Sequence, residues 1–196
     1  IFLGGGDTVF SNKLSFTIVS VGISKNIIYR NKAKINDDIY VTGNLGDSYL
    51  GLQILKKKLY LKNKYNKYFI DKYFLPDLPT KLQKYFNQIA NCSIDISDGL
   101  FSDLKKLINN QNYGYNIDLD LVPISKNLKI LIKDKKLNKL NYISKGDDYQ
   151  VLFTAEKKDR QFIKSLSKRI NHKITLIGEI NNKSKDCNVF QNNNLL

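Results

Sequence analysis

Apolar and polar positions along this chain follow two periods, and the switches between them mark the elements. A period of two runs through Ser15-Phe16-Thr17-Ile18-Val19-Ser20-Val21, and apolar stretches of strand length recur at 38–42, 91–96, 115–119, 149–154 and 174–178. These segments are predicted as strands. Segments of helical length lie between them, at 46–59, 67–74, 80–90, 99–109, 126–131 and 157–169. In the segment 99–109, Leu100, Leu104, Leu107 and Ile108 fall on one face, which is a core stripe. Such alternation predicts an α/β (α+β) fold in which helices cover a sheet. The Asn-rich runs at 109–112 and 192–194 read as a polar loop and a polar tail.

Three acidic sequences add chemistry to that frame, because each stands in a loop beside an apolar strand. The first is Ile94-Asp95-Ile96-Ser97-Asp98-Gly99-Leu100-Phe101, at a strand-to-helix junction. Side chains at i and i+2 of an extended segment share a face, so Asp95 and Ser97 project together while Asp98 sits where the helix opens. Mg²⁺ characteristically holds substrate phosphates through one or two carboxylates while keeping several waters, which this arrangement suits. Ser97-Asp98 would equally serve as an ordinary helix N-cap. The second sequence is Leu3-Gly4-Gly5-Gly6-Asp7-Thr8. A turn without side chains can present its N–H groups to phosphate oxygens, with Asp7 available to a metal. The third, Ser144-Lys145-Gly146-Asp147-Asp148-Tyr149, reads either as a further functional loop or as a turn with a solvated Asp pair.

In this order and spacing the three sequences resemble the thiamine-monophosphate kinase family, of the superfamily that also contains aminoimidazole ribonucleotide synthetase and selenophosphate synthetase. The family's Gly-Gly-Asp-Thr block is met by Gly5-Gly6-Asp7-Thr8, and its Arg ahead of a Tyr-Val-Thr-Gly and Gly-Asp-Ser pair by Arg30, Tyr40-Val41-Thr42-Gly43 and Gly46-Asp47-Ser48. Ile94 to Leu100 match the Ile-Asp-x-Ser-Asp-Gly-Leu block in full, and Ser102-Asp103-Leu104 continue it. The Gly-Glu-Asp-Tyr-Glu-Leu block is approximated by Gly146-Asp147-Asp148-Tyr149-Gln150-Val151. Asp147 therefore replaces a Glu and is one methylene shorter. The segment Leu75-Pro76-Asp77-Leu78-Pro79-Thr80 lacks the family's Arg residues, and the family's late aromatic has no counterpart.

The resemblance implies a PurM-like two-domain architecture, with 1–24 as the end of an N-terminal nucleotide-binding domain and 25–196 as a complete C-terminal domain of mixed sheet covered by helices. It implies ATP-dependent phosphorylation of thiamine monophosphate to thiamine diphosphate by direct, Mg²⁺-assisted phosphoryl transfer, with no side chain required as acid or base. Asp7, Asp95 and Asp98 would hold Mg²⁺; Gly6, Asp7, Arg30 and Ser97 would contact the nucleotide and its phosphates; Asp147 would face the thiamine end of the substrate. A homodimer paired through its first domains is also implied. Because the chain opens on Ile1, without most of that first domain, inactivity of this fragment alone is expected. Two other expectations compete: a related ATP-dependent synthetase with a different acceptor, and a non-catalytic degenerate or basic binding protein.

Charge adds little to this picture. The net charge of +14 and pI near 9.6 come from lysines spread through loops and helices, as in Lys56-Lys57-Lys58 and Lys62-Asn63-Lys64-Tyr65-Asn66-Lys67. That pattern reads as a compositional drift and gives no reason to expect specific nucleic-acid binding, although such a field would attract anionic substrates. No apolar run approaches the ~20 residues of a membrane helix, and no secretory leader pattern is visible, so a cytoplasmic protein with no membrane partner is expected. Cys92 and Cys187 lack metal-ligand spacing. The lone His172 is expected at the surface near the final strand, with no role as a general base.

Overall fold

The computed structural model describes residues 2–24, 26–182 and 186–196. Its elements run in the order β1 (Asp38–Thr42), α1 (Asp47–Leu55), α2 (Asn63–Phe74), a 3₁₀ turn at Thr80–Leu82, α3 (Gln83–Phe86), β2 (Cys92–Asp95), α4 (Leu100–Leu107), β3 (Gly114–Asp118), α5 (Lys126–Lys135), α6 (Lys139–Ile143), β4 (Val151–Ala155), a 3₁₀ turn at Lys157–Asp159, α7 (Arg160–Arg169), β5 (Ile174–Asn181), β6 (Cys187–Gln191) and β7 (Asn194–Leu195). The strands form one mixed sheet in the order β2-β4-β1-β5-β3-β6-β7. Its pairings are antiparallel except for β3 with β6.

Period-two alternation explains how one sheet serves two cores. Ile39 and Val41 of β1 and Leu152 of β4 face α4, where they meet Leu100, Leu104 and Leu107. Tyr40, Phe153 and Ala155 point the other way and pack against Leu82, Ile163 and Leu166. Tyr40 stacks on Phe153 with ring centroids 5.2 Å apart. β1 lies between β4 and β5 and is buried at every position, including Asp38. That carboxylate accepts two hydrogen bonds from Arg160, from Nε at 2.6 Å and Nη2 at 2.7 Å, so the charge is paired where it is buried. A third core joins α1, α2 and α5 through Leu50, Ile54, Phe69, Leu128 and Leu131.

The α/β (α+β) expectation holds, and the differences are local. Residues 15–21 form no strand: Phe16 is 83% and Ile18 87% exposed, and no described segment pairs with them. Alternation specifies an amphipathic edge, and a strand also needs a neighbour for its backbone groups. The segment 46–59 leaves the helix at Leu55, and Lys57 has a positive φ of 55°. The segment 80–90 divides into a 3₁₀ turn and a single turn of α-helix. The Asn-rich run at 192–194 holds the loop that turns a hairpin. Asn192 and Asn193, with φ of 49° and 62°, form the two-residue loop between Gln191 and Asn194, the left-handed turn that Asn tolerates and hairpin twist favours. Among the described residues, no helix is long and apolar enough to cross a membrane.

Candidate functional site

The loops carrying the first and third acidic sequences interlock through their backbones. Ile96 N–H donates to the Gln150 carbonyl at 2.8 Å, Tyr149 N–H to the Ile96 carbonyl at 2.9 Å, and Asp147 N–H to the Ser97 carbonyl at 3.0 Å. Glycine permits the approach. A Cβ on Gly146 would lie 1.6 Å from the Ser97 carbonyl oxygen, and one on Gly99 would lie 2.3 Å from that of Ser144. Gly99 also adopts φ 112° and ψ 153°, a conformation reserved for glycine. Across the loop, Asp147 and Tyr149 hold left-handed φ values of 68° and 50°. Asp148 between them is buried and accepts hydrogen bonds from Gly46 N–H at 2.8 Å and Ser48 N–H at 3.4 Å, at the start of α1. Only Asp147 is left at the surface, so the reading of a solvated Asp pair is corrected: half of the pair is an internal cap.

The N-cap reading of Ser97-Asp98 is corrected as well. Gly99 occupies the N-cap of α4 and no side chain caps it there. Instead Asp103, fully buried in the first turn, folds back on the loop. Its Oδ2 accepts the N–H groups of Ser97 at 3.0 Å, Asp98 at 2.9 Å and Gly99 at 3.1 Å. Those amides form an anion nest whose occupant is a carboxylate of the chain itself. Those three amides are therefore not available to a phosphate at this turn. Lys106, one turn along α4, donates to Asp103 Oδ1 at 2.9 Å and also pairs with Asp98. These hydrogen bonds, with Asp98 first and Asp103 second, push the ammonium pKa up and keep it charged.

A cleft of about 540 Å³ opens in front of this turn, and Arg30, Asp95, Ser97, Asp103 and Lys106 are among its lining residues. Arg30 reaches it because the next residue is anchored to the end of α4. Asn31 N–H donates to the Leu107 carbonyl at 2.7 Å, and Asn31 Oδ1 accepts from Asn110 N–H at 2.9 Å. The fold thus gathers Arg30, Asp95, Ser97 and Asp98, joins Asp147 to them through the backbone, and leaves Gly6 and Asp7 apart. Gly6 has open space around it, and the one hydrogen bond recorded for the Asp7 carboxylate is from Thr8 N–H. Among the described residues, no three His, Cys, Asp or Glu side chains are grouped to hold a metal ion. Asp95 and Asp98 are both exposed. Two exposed carboxylates suit a largely hydrated Mg²⁺ and do not fit an all-protein cage. Asp103 and Lys106 are the residues that sequence reasoning missed. The helical spacing i, i+3 between them was the available signal.

A larger cavity of about 560 Å³ lies on the other side of the 146–150 loop, lined by Asp47, Tyr68, Asp148, Gln150 and His172 among others. Its polar groups are largely paired with one another. Asp47 accepts from Ser125 Oγ at 2.7 Å and Tyr68 Oη at 3.0 Å, and Gln150 Oε1 accepts from Thr42 Oγ1 at 2.8 Å. Of the two, the smaller cleft contains Arg30 and Ser97, whereas the cations of the larger one are Lys72 and Lys173. His172 is half-buried in the larger cavity, 3.4 Å from Gln150 Oε1, a correction to the surface position expected for it.

Burial pushes the Asp47 carboxyl up to about 6 and the Asp148 carboxyl up to about 7. Both folded values exceed the unfolded one, so the native state binds more protons and stability is lost as pH rises through 6 and 7. Burial lowers the His172 pKa, which acts in the opposite sense below pH 6.5. The two carboxyls outweigh it, and the unfolding free energy is expected to fall from pH 5 to pH 8 by an amount on the order of 1 kcal/mol or more. Urea denaturation across that range checks this, and Asp47→Asn should flatten the slope. A stability that rises with pH over this window would refute the assignment.

The family profile described as "AIR synthase related protein, C-terminal domain" matches residues 34–187. The thiamine-monophosphate kinase of Buchnera aphidicola subsp. Schizaphis graminum is 42% identical over 196 residues, covering 96% of this chain and 58% of that protein. The crystal structure of thiamine-monophosphate kinase from Stenotrophomonas maltophilia K279a superposes with a TM-score of 0.72 at 26% identity, covering 86% of this chain and 54% of that one. A structure described as AaThiL complexed with AMPPCP and TMP gives 0.70 at 27%, covering 86% and 52%. The chain spans little more than half the length of these relatives. On the match over 34–187 and the mixed sheet that carries the interlocked loops, the chain belongs to the AIR synthase related protein family, whose C-terminal domain it contains.

Proposed function

We propose that this chain supplies the phosphate- and acceptor-binding domain of an ATP-dependent kinase that converts thiamine monophosphate to thiamine diphosphate, acting as a cytoplasmic homodimer. Residues 25–196 form that C-terminal domain, and residues 1–24 are the end of an N-terminal nucleotide-binding domain. The observation that carries the reading is the interlock of the two loops. Because Asp147 N–H bonds to the Ser97 carbonyl, the acceptor-facing carboxylate and the phosphate-facing turn move as one unit. Thiamine-monophosphate kinases among the relatives support the choice of acceptor. The exposed apolar alternation at 15–21 supports the assignment of 1–24.

The acceptor is already an anionic phosphate, so no strong base is needed and the work is alignment of two repelling groups with neutralisation of their charge. Arg30 and the Ser97 hydroxyl bind phosphate oxygens, and Asp147 pairs with the cationic ring of the vitamin. Asp95 and Asp98 would hold Mg²⁺, with Asp7 as the ligand contributed by the first segment. When bound, Mg²⁺ would supply neutralisation of the phosphate charge. The fixed turn keeps its carboxylates in place at no further entropic cost during the reaction.

The test is formation of thiamine diphosphate from thiamine monophosphate and MgATP by the full-length protein, with unphosphorylated thiamine as a parallel acceptor. Product from the monophosphate alone is expected; no product from a folded, nucleotide-binding protein would overturn the acceptor assignment. Asp98→Asn is expected to lower kcat by about a hundredfold or more while shifting stability by no more than about 0.5 kcal/mol, since the residue is exposed. Retained activity would remove Asp98 from the mechanism.

A further inference from the structure

We propose that Lys106 is a phosphate-binding side chain of the cleft, a second cation that acts with Arg30 on the anionic oxygens of a polyphosphate. The inference rests on the kinase reading above and names a residue that reading does not use. With the backbone N–H groups of Ser97, Asp98 and Gly99 consumed by Asp103, charged recognition of an anion in the cleft falls to side chains, and Arg30 and Lys106 are its cationic lining residues.

An ammonium has three N–H donors. One goes to Asp103 and one to Asp98, which leaves a third for a ligand oxygen. The two partners differ in kind. Asp103 is fully buried and fixed by its three amides, so it acts as a tether that holds Nζ at the cleft. Asp98 is 62% exposed and Lys106 38% exposed, and an exposed ion pair of this sort contributes little. The Asp98 contact can be exchanged for a phosphate oxygen, whose charge-assisted hydrogen bond is the stronger one. Lys106 also offsets the repulsion that Asp95 and Asp98 would impose on an incoming polyphosphate, and in doing so leaves Asp98 free for Mg²⁺.

Inorganic tripolyphosphate is the probe, titrated by calorimetry into the full-length protein and its Lys106→Met and Lys106→Arg variants, with MgATP in a parallel series. Lys106→Met keeps the apolar stem and is expected to weaken tripolyphosphate about tenfold, whereas Lys106→Arg stays within about threefold of the parent. A folded Lys106→Met protein that binds tripolyphosphate like the parent would overturn the proposal, even if its urea midpoint had fallen, because that pattern marks a purely structural lysine. If Lys106→Met does not fold, Lys106→Gln decides by the same comparison. The readout needs no acceptor, so failure of the parent to make thiamine diphosphate would count against the kinase reading, while equal tripolyphosphate affinities would count against Lys106.

Discussion

Replacing Gly146 with alanine is expected to destabilise the protein by more than about 4 kcal/mol, or to prevent folding outright. The added methyl carbon would sit 1.6 Å from the Ser97 carbonyl oxygen, 2.3 Å from its carbon and 2.8 Å from Asp98 N. All three are backbone atoms, so no rotamer change relieves the overlap. Ser97 cannot retreat, because its carbonyl accepts from Asp147 N–H and its own N–H is held by Asp103. Effects of that size are exceptional for a single methyl group and arise where neighbouring structure cannot yield. Gly4→Ala is the control, since nothing lies within 4 Å of the position its Cβ would take. Urea denaturation of both variants checks the expectation, and a Gly146→Ala midpoint equal to that of the control would show that the two loops do not interlock as described.

Replacing Asp103 with asparagine is expected to cost about 2–3 kcal/mol and to loosen the 97–99 turn. One amide oxygen could still face the three N–H groups, but the amide nitrogen would replace Oδ1 and confront the Lys106 ammonium, donor against donor. Neutralising the buried carboxylate weakens the charge-assisted hydrogen bonds from three backbone amides and leaves their desolvation poorly compensated. Hydrogen exchange of the amides of Ser97, Asp98 and Gly99 should accelerate along with the fall in the urea midpoint. Unchanged protection of those amides would refute the role given to Asp103. A double-mutant cycle with Lys106→Met should reveal coupling between the two, since they share a contact.

Much of the frame was legible beforehand. β1 matches its predicted bounds, and β2, β4 and α4 lie within a few residues of theirs. Two of the three acidic sequences stand at strand ends, after β2 and before β4, whereas 3–8 has no strand beside it among the described residues. The errors have particular causes. Residues 15–21 carried a strand pattern without a strand, because period-two alternation reports which side chains share a face and says nothing of a pairing partner. Asn192 and Asn193 were legible as polar loop positions but not as the turn of a hairpin, because Asn's tolerance of positive φ does not by itself reveal the strand pair it joins. Asp47, Asp103 and Asp148 were read by residue type or as motif members, whereas their burial, and with it their role as internal caps and tethers, depends on segments distant in sequence.

The amino-acid sequence by itself determined the local features: where most strands and helices lie, which faces are apolar, and which short segments bring together carboxylates, hydroxyls and glycines. Those follow from periodicity and side-chain chemistry within a few residues. Only the tertiary structure decided that Gly146 and Gly99 are sites of backbone contact, that Asp148 turns inward while Asp147 does not, and that Asp103 fills the backbone nest at 97–99. Arg30 joins Ser97 across 67 positions for the same reason. Burial and contact between distant segments are set by packing of the whole sheet with its helices, and the charge, pKa and availability of each polar group follow from that packing.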